Sequence, residues 1–178
     1  GHDKVVKRPQ GVGAGADPRD ERIPGSVTPP HPFIKGTEDT RHVAPPSEAK
    51  AIMEELGIGN GTQVVVYDSA RSLSAARFWW VLSYYGHADV RILNGGFDKW
   101  VAEGRGVVTE AASPTPRSFA PQANPAVLSA VDTLRAAVHD PGAVIWDTRS
   151  LGEYTGEVDR GNARAGHVPG AAHLEWSD

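Results

Sequence analysis

Side chains that could do chemistry in this 178-residue chain stand in three places, and none of them includes a cysteine. A polar turn at residues 68–73 holds a carboxylate and a guanidinium, and an Asp-x-Arg triplet stands at residues 147–149. Two histidines and a glutamate stand at residues 167–175. Because the chain has zero cysteines, disulfides, thiolate metal sites and a cysteine nucleophile within it are excluded.

Both acidic–basic pairs allow a ligand-binding and a structural interpretation. Asp68 and Arg71 could bind a ligand, but we expect the carboxylate to bond amides of its own turn, with the arginine in solvent or paired locally. For Asp147 and Arg149 we expect the carboxylate to bond loop amides and the guanidinium to bond carbonyls or carboxylates. The structural interpretation is therefore the expected one at both places.

Net charge and the distribution of apolar residues exclude several classes of protein. The formal net charge is -4, and no stretch collects lysine and arginine densely, so we expect no nucleic-acid partner. No window approaches about 18 uninterrupted apolar residues, which excludes a membrane span. The first ten residues (GHDKVVKRPQ) lack the apolar core of a signal peptide, so we expect an intracellular location, cytoplasmic or mitochondrial.

The elements that must position the polar turn alternate between strands and helices. Residues 63–67 (QVVVY) are a β-branched run that predicts a buried parallel strand, and residues 74–85 (SAARFWWVLSYY) predict an apolar helix. A second strand is predicted at residues 90–93 and a second helix at residues 97–103. This alternation predicts an α/β layered domain with right-handed crossovers.

The flanking segments are less regular. Residues 1–22 read as an arm that could include a short strand at Val5–Val6, and Ser47 is predicted to cap a helix. Residues 106–126 are rich in proline, alanine, serine and threonine, which is typical of a linker. A helix is predicted at residues 127–139, and a strand at residues 143–146 leads to the Asp-x-Arg triplet.

One short motif occurs twice. Ile23–Val27 (IPGSV) and Val168–Ala172 (VPGAA) are near-copies 145 positions apart. A strand that ends in the Asp-x-Arg triplet precedes the second copy, and Lys4–Arg8 could be a degenerate remnant of the same strand before the first. The repeat predicts two homologous α/β domains, of which the second is incomplete.

These stretches resemble the rhodanese superfamily of thiosulfate and 3-mercaptopyruvate sulfurtransferases, in its tandem two-domain form. Arg22–Val27 (RIPGSV) and Gly166–Ala172 (GHVPGAA) look like the Gly-His-Ile-Pro-Gly-Ala signature of that family. Val64–Arg105 looks like the second half of the non-catalytic first domain, and Val144–Glu157 (VIWDTRSLGEYTGE) looks like the opening of the catalytic domain.

The resemblance implies an α/β, rhodanese-like three-layer fold with a central parallel sheet, one domain near-complete and a second partial. The implied divisions are an arm or degenerate first strand at 1–22, an inactive-type first domain at 23–105, a linker at 106–126 and a partial second domain at 127–178.

The resemblance also assigns roles to the polar residues. The active domain of the family carries a cysteine after a strand, followed by a tight loop and a helix, and here Asp68 occupies that place. A vestigial active-site loop is therefore implied, made of Asp68, Ser69, Ala70, Arg71, Ser72 and Leu73. A structural motif is implied for Asp147, Arg149, His167, Pro169 and Gly170.

No metal or other cofactor is implied, because the family uses none. His167 and His173, with Glu175 near, could otherwise hold a metal, but the histidine of the signature normally makes a structural hydrogen bond. Some members bind substrate through an arginine shortly after the first strand, and the best match here is Glu153. That departure puts such a contact in doubt.

The resemblance leaves two functions open. The 43 positions from Gly25 to Asp68, counted on from Gly170, place the loop of the second domain near position 213, beyond Asp178. If a cysteine stands there, the chain is part of a sulfurtransferase that accepts sulfur from a small anionic donor. Otherwise it is a non-catalytic binding or structural subunit. On either view the chain alone is expected to be inactive, and a protein partner could complete the second domain.

Overall fold

A computed structural model describes residues 4–6, 20–30, 34–38, 42–69 and 71–177 of the chain. The chain divides into two compact units, Gly1–Pro125 (unit 1) and Ala126–Asp178 (unit 2). Ala70 of the predicted loop lies outside the described residues. None of the helices in the described ranges is long and apolar enough to cross a membrane.

Unit 1 is built on a parallel four-stranded sheet. Its strands are β1 (Lys4–Val6), β2 (Ser26–Val27), β3 (Val64–Val66) and β4 (Val90–Ile92). They lie in the order β2-β1-β3-β4, with Val5 paired to both Ser26 and Val65. The short strand expected at Val5–Val6 is therefore present, and it lies inside the sheet rather than at its edge.

Three helices connect these strands, namely α1 (Pro46–Glu55), α2 (Leu73–Tyr84) and α3 (Gly96–Ala102). The cap predicted at Ser47 is wrong, because α1 begins one residue earlier, at Pro46, after Pro45 at the N-cap position. Proline suits the first helical position, since its fixed φ is helical and its missing N–H has no partner there in any case.

Apolar side chains pack in two clusters on either side of β3. Successive residues of a strand face opposite sides of a sheet, so Val64 and Val66 lie on one side and Tyr67 on the other. Val64 and Val66 join a cluster with residues of α1 and α2, whereas Tyr67 packs against Ile23 and Phe97. Helices thus cover both sides of the sheet, as a three-layer α/β arrangement requires.

The segment predicted as a linker belongs to unit 1 up to Pro125 and is bonded to the rest of that unit at several points. Val108 exchanges two backbone hydrogen bonds with Arg22, at 2.8 and 2.9 Å. Farther on, Phe119 is only 1% exposed and belongs to the cluster that contains α1 and α2. The amides of Gln122 and Asn124 donate to carbonyls at the end of α2. We call residues 117–124 the strap.

Unit 2 is smaller and contains α4 (Val131–Ala137), β5 (Trp146–Asp147), α5 (Leu151–Thr155) and β6 (Ala172–His173). The two strands pair in parallel. Of the large apolar residues described here, many are more than 40% exposed, among them Val131, Val144, Trp146, Leu151, Leu174 and Trp176. The described part of unit 2 therefore buries little apolar surface of its own, and α4 is shorter than the predicted helix at residues 127–139.

Candidate functional site

The predicted loop at residues 68–73 follows β3 at the carboxyl end of a parallel strand, and its last residue, Leu73, is the first residue of α2. In open α/β sheets this edge is where ligands commonly bind. Arg71 and Ser72 have positive φ angles of 52° and 67°, which is unusual for residues other than glycine. Two consecutive left-handed residues turn the backbone sharply, so that the first amides of α2 face back toward the start of the loop.

The Asp68 carboxylate fills the space that these amides surround. Its Oδ1 accepts a hydrogen bond from the Ser72 amide at 2.9 Å, and its Oδ2 accepts from the amides of Ser74 at 2.7 Å and Ala75 at 2.9 Å. Asp68 is only 3% exposed. The first amides of a helix have no intrahelical partner and favour negative charge, so the carboxylate satisfies them. We call Asp68 and these three amides the carboxylate cradle.

The backbone of Asp68 is fixed from the opposite side by the first two residues of α3. The Phe97 amide donates to the Asp68 carbonyl at 3.0 Å. Gly96 lies so close that a Cβ there would come within 2.5 Å of the same oxygen, and its φ is +58°. Glycine is therefore required at this position both by the close approach and by the left-handed backbone.

Three other predicted loop residues that the structure describes lie largely at the surface. Ser69 and Arg71 are exposed, and Leu73 is 43% exposed. Sequence reasoning assigned Asp68 to turn amides but did not identify Ser74 and Ala75, which belong to the first turn of the helix. The Ser74 hydroxyl is buried without a hydrogen-bond partner. A carboxylate in the turn ahead of an apolar helix, here four to seven residues before the donor amides, is the sequence signal that points to them.

This arrangement stabilises one anion, and that anion is part of the chain. A free thiosulfate or persulfide would have to displace a buried carboxylate and would be repelled by its charge. The side chain also offers no sulfur on which a persulfide could form. The geometry of the cradle thus matches an anion site whose place is already taken.

In unit 2, Asp147 and Arg149 form a tight pair at the end of β5. The guanidinium of Arg149 contacts both carboxylate oxygens, with Nε 2.9 Å from Oδ1 and Nη2 2.5 Å from Oδ2. Nη2 also donates to the Gly166 carbonyl at 2.9 Å, and the Arg149 amide donates to Asp147 Oδ1. The pair therefore joins the end of β5 to the loop before β6. The assignment of these residues to the structural motif of the family stays a prediction.

Two histidines make contacts that hold the loop before β6. His167 Nδ1 lies 2.8 Å from the Tyr154 carbonyl, and its ring stacks on the Tyr154 ring at 3.8 Å. His173 Nε2 lies 2.8 Å from the Arg149 carbonyl. Because a carbonyl oxygen only accepts, both of these nitrogens carry a proton. Among the described residues there is no group of three or more metal-ligating side chains.

The two copies of the repeated motif have the same turn geometry. Gly25 has a φ of +76° and Gly170 a φ of +77°. In the first turn the Ser26 amide donates to the Ile23 carbonyl at 3.1 Å, and in the second the Ala171 amide donates to the Val168 carbonyl at 3.0 Å. Glycine suits a turn that needs a left-handed residue at its third position. Each turn leads to a strand (β2 or β6) that pairs in parallel with the preceding strand (β1 or β5).

The ion pair between Asp147 and Arg149 should make the Asp147 carboxyl titrate at a lower pH than an ordinary aspartate. The hydrogen bond from Arg149 is the main cause that lowers the pKa of Asp147. A lowered pKa in the folded state means that the contribution of this carboxylate to stability is present above the ordinary aspartate range. It is lost as the pH falls through the folded-state pKa. Titration of the Asp147 carboxyl carbon by NMR should give a midpoint below 3.8, the ordinary value. In Arg149→Gln the midpoint should return toward that value, and an unchanged midpoint would contradict the assignment.

Comparisons with known proteins agree with this geometry. The family described as "Rhodanese-like domain" matches residues 18–103. The sulfur carrier protein TtuD of Thermus thermophilus is 38% identical over 142 residues, which cover 73% of this chain and 50% of the relative. A probable 3-mercaptopyruvate sulfurtransferase of Pseudomonas aeruginosa is 32% identical over 148 residues, covering 83% and 52%. The chain spans about half the length of these relatives.

Solved structures show the same fold. SseA from Escherichia coli, a 3-mercaptopyruvate sulfotransferase with the rhodanese fold, matches with a TM-score of 0.81 and 26% identity, covering 98% of this chain and 69% of SseA. Wild-type EanB matches with a TM-score of 0.79 and 25% identity, covering 97% of this chain and 44% of EanB. The predicted α/β rhodanese fold is therefore confirmed.

Proposed function

We propose, on the premise that this chain belongs to the rhodanese family, that it serves in sulfane sulfur transfer and that the sulfur-carrying cysteine lies outside the chain. The observation that carries the proposal is the carboxylate cradle. It stands on a strand–loop–helix unit of the kind in which the family presents its cysteine. With Asp68 in that place, unit 1 is the non-catalytic half of the proposed enzyme.

The chemistry of the proposed enzyme follows from what a thiolate and a sulfur donor can do. A thiolate attacks the outer sulfur of thiosulfate, the sulfur–sulfur bond of the donor breaks, and sulfite leaves with the electron pair. The resulting persulfide then gives its outer sulfur to an acceptor such as cyanide, which forms thiocyanate and restores the thiolate. Backbone amides at a helix N-terminus stabilise the anionic sulfur at both stages. Mercaptopyruvate is the alternative donor, as the names of the relatives suggest.

A non-catalytic role is the second candidate, and one observation favours it. The first copy of the repeated motif has Arg22 where the signature of the family would have histidine. In this case the rhodanese fold would serve as a binding or structural subunit. The exposed apolar side chains of unit 2 suit either candidate, because both require further polypeptide to cover them. The source of this further polypeptide and the intracellular location of the protein stay predictions.

An assay of thiocyanate formation separates the two candidates. We expect the purified chain, given thiosulfate or mercaptopyruvate with cyanide, to produce no thiocyanate above a protein-free blank, because it holds no thiol. A protein that continues to the predicted cysteine near position 213 should produce it, and its Cys→Ser variant should not. Turnover by the cysteine-free chain would contradict the persulfide mechanism, and a longer protein without a cysteine in that loop would favour the binding role.

A further inference from the structure

The Asn60 side chain holds the strap to the rest of unit 1 through both ends of its carboxamide. Its Oδ1 accepts from the Ala120 amide at 2.8 Å, and its Nδ2 donates to the Ala120 carbonyl at 3.3 Å. The strap runs close to this turn, since a Cβ on Gly59 would come within 2.9 Å of the Ser118 carbonyl. Asn60 is thus a clamp next to the buried Phe119, although Asn60 itself is exposed.

The residue after this clamp is glycine. Gly61 is exposed, and as a glycine it has no side chain of its own to shield its backbone nitrogen. In an Asn-Gly pair the backbone nitrogen of glycine can attack the asparagine Cγ. The backbone nitrogen gives up its proton, and the bond from Cγ to the side-chain nitrogen breaks. The departing NH2 group takes up a proton and leaves as ammonia, and a five-membered succinimide forms. Water then opens either carbonyl of that ring to give aspartate or isoaspartate.

We propose that Asn60 is a deamidation site that the docked strap protects, and that deamidation in turn weakens the docking of the strap. Both ends of the carboxamide are bonded to Ala120, so a rotation that brings Cγ to the Gly61 nitrogen has to break these two hydrogen bonds. Deamidation replaces the side-chain nitrogen that donated to the Ala120 carbonyl with a carboxylate oxygen, which can only accept. Two acceptors then face each other, which costs a hydrogen bond and adds repulsion.

A second Asn-Gly pair in the same chain provides an internal control. Asn94 and Gly95 form the turn between β4 and α3, where Asn94 is exposed. In the described part of the chain, the strap amides of residues 117–122 donate to α1, to Asn60 and to the end of α2. Release of the strap should therefore change the reaction rate at Asn60 and leave the rate at Asn94 unchanged.

Two variants loosen the strap to different degrees. Glu54→Ala removes the Oε1 atom that accepts from the Phe119 amide at 3.0 Å and leaves the core intact. Because deamidation at Asn60 requires the strap to open locally, loss of one such hydrogen bond should raise the deamidation rate at Asn60 about fivefold. Phe119→Ala removes the buried anchor of the strap and should raise it by about tenfold or more.

The experiment incubates the folded chain at neutral pH and follows each Asn-Gly peptide by mass spectrometry. We expect slow loss of the amide at Asn60, acceleration in both variants, and a constant rate at Asn94. If Phe119→Ala does not fold, the rate at Asn94 will rise as well and Glu54→Ala decides the question. An unchanged rate at Asn60 in folded Glu54→Ala would overturn the protection by the strap.

The consequence for docking is tested by Asn60→Asp, with Asn94→Asp as its matched control. Hydrogen exchange at the Phe119 and Ala120 amides should become faster in the first variant only. Equal exchange in wild type and Asn60→Asp would overturn the second half of the proposal. Neither result depends on sulfur transfer, so the outcome is independent of the proposed function.

Discussion

Asp68→Ala is expected to lower the free energy of unfolding of unit 1 by about 3 kcal/mol. The substitution removes the acceptor of three backbone amides at 2.7–2.9 Å in a place that is almost fully buried. Hydrogen bonds to a charged group stabilise by about 1.5–3 kcal/mol each, and an amide left buried without a partner adds a cost of its own. The sum is not additive, because the loop can relax and admit water.

Hydrogen exchange of the β3 amides reports the stability of unit 1 separately from unit 2. The matched control is Asp98→Ala, in which an exposed aspartate is removed from the first turn of α3. That change should cost less than about 1 kcal/mol, which is what a surface charge near a helix N-terminus contributes. A loss at Asp68→Ala no greater than at Asp98→Ala would show that the cradle does not depend on the carboxylate.

Phe119→Ala is expected to destabilise unit 1 by about 3–5 kcal/mol, the usual cost of truncating a buried phenylalanine to alanine. Phe119 is 1% exposed and packs in the main cluster, and its ring lies 6.2 Å from that of the buried His87. Loss of the ring would leave a cavity between the strap and the end of α2.

The control for this prediction is Leu128→Ala, because Leu128 is 50% exposed and lies shortly after the strap. Its truncation should change the stability of unit 1 by less than about 0.5 kcal/mol. Urea unfolding followed by far-ultraviolet circular dichroism compares the two variants. If Phe119→Ala were as stable as Leu128→Ala, the strap would be a linker without a structural role.

The centre of unit 1 could be predicted from sequence because its signals are strong and local. The run of three valines in β3, the apolar α2 and the glycine after each helix all point to the same alternation of strand and helix. β1 was harder to place, because three residues in a polar arm give little periodicity. Its inner position depends on pairing with β2 and β3, which are distant in the sequence.

The strap and the details of the cradle depend on contacts that no local pattern shows. The strap is held by hydrogen bonds to Glu54, Asn60 and the end of α2. These partners are distant in the sequence, so the stretch that contains the strap, rich in proline, alanine, serine and threonine, resembles a linker. The cradle requires positive φ angles at Arg71 and Ser72, and neither residue type demands them. Sequence reasoning could therefore assign Asp68 to nearby amides, yet only the structure identifies Ser74 and Ala75.

The central claim is that the loop after β3 is an anion cradle filled by the Asp68 carboxylate. The pKa of the thiol in Asp68→Cys tests it most directly, and the absence of any other cysteine makes the measurement clean. Thiolate absorbance or alkylation rate is followed against pH, with Asp98→Cys as the exposed control. We predict a thiol pKa well below the usual value of about 8.5 for the variant at position 68, and close to it for the control. A thiol at position 68 with an ordinary or raised pKa would contradict the claim.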